Sequence, residues 1–202
     1  MQLIGMLDSP YVRRVAISME LLGLPYTHQS ISVFSTYDQF KEINPVVKAP
    51  TLVCDDGQVL MDSTLIIDYL ETVAGQSLMP TRVGQRQHAL KLIGLALAIC
   101  EKTVQTIYER RQRPADKQYE PWANRVNEQL IAALIALEHE VEKHPLACDT
   151  ASVNQAGITT AVAWRFTQLI LPDRIPAAAY PSLAAHSARA EELPAFIAAP
   201  PL

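Results

Sequence analysis

Apolar positions along this 202-residue chain change their spacing near residue 80. Before that point, short apolar runs alternate with stretches of helical period, which predicts a βαβ unit followed by a ββα unit. Leu3-Ile4-Gly5-Met6 reads as a first strand. Val12, Val15, Ala16, Met19 and Leu22 then recur at helical spacing, and Gly23 suits the end of that helix. A second strand is expected from Tyr26 to Val33, and a short helix around Phe40 and Ile43 that ends at Asn44-Pro45. Thr51-Leu52-Val53-Cys54 and Gln58-Val59-Leu60-Met61 flank Asp55-Asp56-Gly57, residues that tolerate the positive φ of a hairpin turn. Leu65, Ile66, Tyr69, Leu70 and Val73 mark one face of a further helix closing at Gly75.

Beyond the proline-bearing stretch near Pro80 the period is helical throughout. One stripe is Leu90, Ile93, Leu97, Cys100, Val104 and Ile107; another is Trp122, Val126, Leu130, Leu134, Leu137 and Val141. A third helix carries Ile158, Ala161, Val162, Phe166 and Leu169, and the proline-punctuated tail supports only a short one around Leu183 to Glu192. The pattern divides the chain into an α/β domain over 1–76, a linker over 77–83 and an all-helical domain over 84–202.

Composition narrows the function. Apolar residues make up 49% and charged residues 19%, so the chain is globular rather than disordered. A formal net charge of −4 argues against a nucleic-acid or anionic-membrane surface. The nearest basic cluster, Arg110, Arg111 and Arg113, reads as the cationic end of a long helix. Cys54, Cys100 and Cys148 are widely separated, with no metal-like spacing, and three cysteines without a secretion signal fit a reducing, cytoplasmic setting. No apolar run reaches membrane-spanning length. His139 and His144 do not share a helix face, and His28, His88 and His186 stand isolated, so no metal site is expected.

Three short elements carry the candidate chemistry. Ser9-Pro10 has the form of a helix N-cap followed by proline at the first helical position. A helix start also offers backbone N–H groups and a positive dipole end, which favour a thiolate, and a serine hydroxyl can accept from an amide while donating to sulfur. With Pro10 lacking an N–H, Tyr11 and Val12 supply the amides. Lys48-Ala49-Pro50 precedes the hairpin, where a proline beginning a strand is unremarkable alone. Asp62-Ser63 can cap the next helix. It also pairs a carboxylate with a hydroxyl at a helix start, a set suited to an amino acid's ammonium and carboxylate.

In this order, ahead of an all-helical second domain, these elements resemble the glutathione site of the cytosolic glutathione S-transferases, of a bacterial, serine-type kind. The resemblance covers essentially the whole chain. It implies a thioredoxin-like βαβ-ββα domain followed by the family's all-helical C-terminal domain. It further implies that Ser9 is the catalytic hydroxyl stabilising the glutathione thiolate, with Tyr11 and Val12 beside it. A cis bond before Pro50 would turn the backbone of Ala49 toward the cysteinyl part of glutathione. Lys48 would meet the glycyl carboxylate, and Asp62 and Ser63 the γ-glutamyl end. Glutathione is then a co-substrate, the second substrate is an electrophilic apolar small molecule, no metal is required and the protein is a homodimer. Tyr108 is a candidate for the electrophile pocket or for core packing.

Serine in place of cysteine removes the mixed-disulfide chemistry of a glutaredoxin. A glutathione-dependent isomerase, dehalogenase or peroxidase on the same fold remains an alternative, as does a non-catalytic binding or regulatory protein. The isomerase class shows a serine-rich segment with a cysteine before its arginine, which Ser9-Pro10-Tyr11-Val12-Arg13 lacks. Two departures from the family pattern stand out. Val47 occupies a position where glycine is common, which predicts a reshaped loop. Gly157 replaces an aspartate three residues after the capping Asn154, which predicts a weaker helix start.

Overall fold

The computed structural model describes residues 1–201. Strands β1 (Gln2–Ile4), β2 (Thr27–Gln29), β3 (Thr51–Val53) and β4 (Val59–Met61) form one sheet in the order β2-β1-β3-β4. β1 and β2 are parallel, with Leu3 opposite His28; β1–β3 and β3–β4 are antiparallel, with Leu52 opposite Leu3 and Leu60. Parallel neighbours need a crossover, and helix α1 (Pro10–Leu21) provides it. Helix α2 (Tyr37–Ile43) precedes the hairpin and α3 (Ser63–Ala74) follows it. The hairpin turns through Gly57 at φ 86°, and α3 closes on Gly75 at φ 64°. The strand expected over 26–33 pairs only at Thr27–Gln29. Beyond it the chain leaves the sheet, and Ile31 turns instead into a small cluster with Ile4 and Phe40.

Contacts group the chain into two compact units, Met1–Leu78 with the tail from Glu192, and Met79–Glu191. The tail thus differs from the expected assignment of 84–202 to one helical domain. Arg13, buried in α1, explains its return: its Nε donates to the carbonyl of Ala199 at 2.8 Å, and its guanidinium lies 5.6 Å from the Phe196 ring centroid. Phe196 belongs to the short helix α8 (Pro194–Ile197).

The second unit is built from α4 (Val83–Ile107), α5 (Glu120–Lys143), α6 (Gln155–Ile170) and α7 (Pro181–Ala190). The buried face of α4 is Ala89, Leu92, Ile93, Ala96, Ile99, Cys100, Thr103 and Thr106, which shares Ile93 and Cys100 with the expected stripe; Leu97, Val104 and Ile107 are half-buried and Leu90 is exposed. The threonines bury with their hydroxyls satisfied: Thr106 Oγ1 donates to the Lys102 carbonyl one turn back, and Thr103 Oγ1 lies 3.2 Å from Thr167 Oγ1 on α6. On α5 and α6 the expected stripes are buried except at their ends, where Trp122 and Leu169 are exposed. No helix among the described residues is long and apolar enough to cross a membrane.

Candidate functional site

The site is framed by a glycine. After β1 the chain turns at Gly5, whose φ is 132°. A Cβ there would stand 2.6 Å from Val12 Cγ2 and 3.2 Å from Ala49 Cβ. Only a residue without a side chain lets the end of β1, the start of α1 and the Ala49-Pro50 segment approach this closely. Gly5 is held on both sides: its N–H donates to the Gln29 carbonyl at 3.0 Å, and its carbonyl accepts from His28 Nε2 at 2.7 Å. His28, isolated in sequence, is therefore a support of this turn.

Four residues on, Ser9 caps α1 with extended backbone (φ −72°, ψ 123°) and Pro10 at the first helical position. Its Oγ accepts from the Val12 amide at 3.5 Å, a long bond that leaves the hydroxyl proton uncommitted to the cap. Ser9 and Tyr11 are half-buried, and the Val12 side chain is fully buried under Gly5.

The Ala49-Pro50 peptide is cis. Lys48 is exposed, and its carbonyl accepts from Thr51 Oγ1 at 2.7 Å. Ala49 is half-buried against the Ile4, Ile31 and Phe40 cluster and lies outside the ladder, which begins at Thr51. The buried Asn44 organises the preceding loop: its Nδ2 donates to Thr51 Oγ1 at 2.8 Å and its Oδ1 accepts from the Val46 amide at 3.0 Å. Val47 itself adopts φ 51°, the left-handed conformation that glycine takes freely. Packing of its side chain against the same apolar cluster offsets part of that strain.

β4 leads from Met61 into Asp62, which caps α3 with its Oδ1 accepting from the Thr64 amide at 2.9 Å. Asp62 holds φ 72° and ψ 122°, a conformation that costs a non-glycine residue about 1–3 kcal/mol and is tolerated where the surroundings impose it. Ser63 is buried beneath it. Arg14, also buried, reaches across from α1: its Nη1 donates to Ser63 Oγ and to Thr64 Oγ1, each at 3.1 Å. Gly5 thus permits the close approach of the α1 start and Ala49, and Arg14 ties α1 to the Ser63-Thr64 start of α3. All three sequence-predicted elements belong to one unit. Neither of these two linking residues is singled out by the sequence reading. The available signals were a glycine closing a strand just before a helix, and an arginine on the apolar side of α1.

Outside that unit, Tyr108 begins a π-helical turn, Tyr108–Gln112, and its ring is substantially exposed. Two of the arginines after it are held by carboxylates: Arg110 grips Glu120 at 2.6 Å, and Arg113 pairs with the buried Glu109 at 3.1 Å. His88 and His186 are not isolated either. His88 Nε2 lies 3.0 Å from Glu140, and His186 sits between Cys148 Sγ, 3.0 Å from Nδ1, and the Gly157 carbonyl, which accepts from Nε2 at 2.9 Å. The α6 start is capped by Asn154 as expected: its Oδ1 accepts from both the Ala156 and Gly157 amides, at 3.0 and 3.2 Å.

A mixed four-stranded sheet, a cis-proline before its hairpin, and two capped helix starts presenting hydroxyls define a thioredoxin-like unit. The family model described as the glutathione S-transferase N-terminal domain matches residues 3–77. Across 173 residues, 85% of each chain, the sequence is 25% identical to the uncharacterized GST-like protein YibF of Escherichia coli K12. It is 39% identical over 88 residues to a probable maleylacetoacetate isomerase of Caenorhabditis elegans, 42% of this chain and 40% of that protein. A glutathione transferase family member from Pseudomonas fluorescens Pf-5, solved with bound S-(propanoic acid)-glutathione, superposes with a TM-score of 0.82 at 28% identity, covering 100% of this chain and 99% of that one. Residues 3–77 thus match a glutathione S-transferase N-terminal domain, and the chain as a whole is similar in sequence and fold to glutathione transferase family members.

Proposed function

We propose that the protein is a glutathione transferase that binds glutathione in its first unit and directs the thiolate at an electrophilic carbon of an apolar second substrate. The observation carrying this reading is the close approach of Val12 and Ala49 at Gly5, together with the bonds of Arg14 to Ser63 and Thr64. These gather a hydroxyl at a helix start, the Ala49 backbone and a carboxylate–hydroxyl corner within one unit. That donor set fits the ligand chemically. Asp62 answers the α-ammonium of the γ-glutamyl group, and Ser63 with the α3 start answers its α-carboxylate. The backbone of Ala49 reads the cysteinyl peptide as a strand edge does, and exposed Lys48 meets the glycyl carboxylate.

At the thiol, Ser9 Oγ donates its proton toward sulfur while the α1 dipole and the Tyr11 and Val12 amides favour negative charge there. The enzyme then contributes a lowered thiol pKa and proximity. Conjugation forms a bond between sulfur and carbon, and the electrons displaced leave with the departing group or settle on the adjacent acceptor. We further propose a homodimer, supported by the exposed apolar face of α3 at Leu65, Tyr69 and Val73.

Isothermal calorimetry tests the reading. Wild type is expected to bind glutathione, and Asp62→Ala/Ser63→Ala to lose at least about tenfold in affinity, since charged hydrogen bonds are removed at both ends of one ligand group. Unaltered binding in the double variant contradicts it. The match to a probable maleylacetoacetate isomerase favours a second reading, glutathione-dependent isomerisation. Turnover in which glutathione is regenerated rather than consumed distinguishes the two.

A further inference from the structure

In the second unit, Cys148 stands half-buried in the loop between α5 and α6 and reaches His186 of α7. Its Sγ is 3.0 Å from Nδ1 of the imidazole, against 3.7 Å to the Leu146 and His186 carbonyls. His186 is fully buried, and its other nitrogen, Nε2, lies 2.9 Å from the Gly157 carbonyl. Burial pushes the Cys148 thiol up and the His186 imidazole down, so the pair rests uncharged at neutral pH. A carbonyl only accepts, so the single ring proton sits on Nε2 and Nδ1 is the acceptor for the thiol. Gly157 leaves room for this: a Cβ there would stand 3.5 Å from the Ala147 oxygen and 3.7 Å from His186 Cε1, and a longer side chain would compete with the ring for that space. A nucleophile, a base within hydrogen-bond reach and a third group orienting the base make the arrangement that activates a thiol. Arg189, exposed nearby, favours negative charge developing on the sulfur, and Asp149 opposes it.

We propose that Cys148 and His186 form a nucleophilic modification site, at which the thiol adds to a small activated alkene of the α,β-unsaturated carbonyl class. Sγ bonds to the β-carbon as the alkene π bond opens onto the carbonyl, and the thiol proton passes to His186 Nδ1. The imidazolium then returns that proton to the α-carbon, so no oxidant is consumed and no group leaves. A half-buried sulfur suits a flat alkene carbon, whereas exchange with a disulfide needs attacking, central and leaving sulfurs in line. The site uses none of the residues proposed to hold glutathione.

The test is labelling of the full chain by N-ethylmaleimide at neutral pH, with each cysteine followed by peptide mass spectrometry. In folded wild type Cys148 is expected to react at least about tenfold faster than the same residue in the chain unfolded in urea, since a positioned base contributes about 10²–10⁴-fold and half-burial takes back part of it. Cys54 and Cys100 are buried and are expected to stay unlabelled until the chain unfolds, so they report folding in the same experiment. His186→Gln keeps an amide to donate to the Gly157 carbonyl but lacks the base, and is expected to slow Cys148 at least about tenfold. Where His186→Gln is labelled at Cys54 and Cys100 it has unfolded, and the ratio of folded to urea-unfolded rates in wild type decides alone. Cys148 reacting no faster in folded wild type than in urea, or as fast in folded His186→Gln as in wild type, overturns the site. Modification of folded wild type by glutathione disulfide but not by the maleimide overturns the alkene class. Each of these outcomes leaves the glutathione reading to its own calorimetric test.

Discussion

At the residue scale, Val47 gives the sharpest reading of local backbone physics. A β-branched residue at φ 51° is strained, and its packing against the Ile4, Ile31 and Phe40 cluster works against that strain. At an ordinary position glycine is less stable than alanine by about 0.5–1 kcal/mol. Here the order is expected to invert. Val47→Ala loses packing and keeps the left-handed penalty, about 1–2 kcal/mol for an L-residue, whereas Val47→Gly escapes it. Denaturant midpoints should therefore place Val47→Gly at or above Val47→Ala; a clear advantage for alanine contradicts the strain. The same logic explains why Gly5 went unread. Its necessity comes from Val12 and Ala49 approaching it from distant points of the chain, and no local pattern encodes that meeting.

At the scale of elements, local patterns gave most of the order and little of the extent. The hairpin and its Gly57, α1 ending before Gly23 and α3 ending at Gly75 were legible because turn and cap chemistry is carried by the residues themselves. The strand over 26–33 was overextended because Ile31 is apolar for a cluster beside the sheet, not for a place in it. The α4 stripe was only partly placed because Thr103 and Thr106 bury with satisfied hydroxyls, which a hydropathy pattern scores as solvent-facing. Of the candidate site, the capping residues Ser9 and Asp62 were legible; the partners of Ser63 were not, since Arg14 lies 49 residues away. The exposed face of α3 belongs to this scale as well. Leu65 is 66% exposed on a helix whose opposite side is buried, with Tyr69 and Val73 along the same edge. If that face is the homodimer seam, Leu65→Glu should convert a dimeric mass by sedimentation equilibrium into a monomeric one. A wild-type monomer, or a dimer indifferent to the substitution, contradicts the seam.

Across the whole molecule, stability should fall in acid in two stages, each with a named group. His186, on α7, is buried between Cys148 and the Gly157 carbonyl, with Arg189 near; burial pushes its pKa below the ordinary 6.5. The unfolded chain therefore takes up this proton more readily than the folded one, and stability present above pH 6.5 is lost as the pH falls below it. Glu140 acts lower down. Lys91 at 2.8 Å and His88 at 3.0 Å hold its carboxyl down at about 2 from the usual 4.5, so its contribution declines as the pH drops from 4.5 toward 2. Urea midpoints followed downward from pH 7.5 should show the first decline beginning near 6.5, and a flat profile to pH 5 would remove His186 as its source.

The central claim concerns a thiol on a helix start, and the direct measurement is a spectrophotometric titration of that thiol in glutathione bound to wild type and to Ser9→Ala. The account predicts a bound thiol ionising well below the ordinary value of about 8.5, with the pKa rising by about one unit or more when the Ser9 hydroxyl is removed. A bound thiol that ionises as it does in free solution, or one indifferent to Ser9→Ala, would contradict the assignment of Ser9 as the group that stabilises the thiolate.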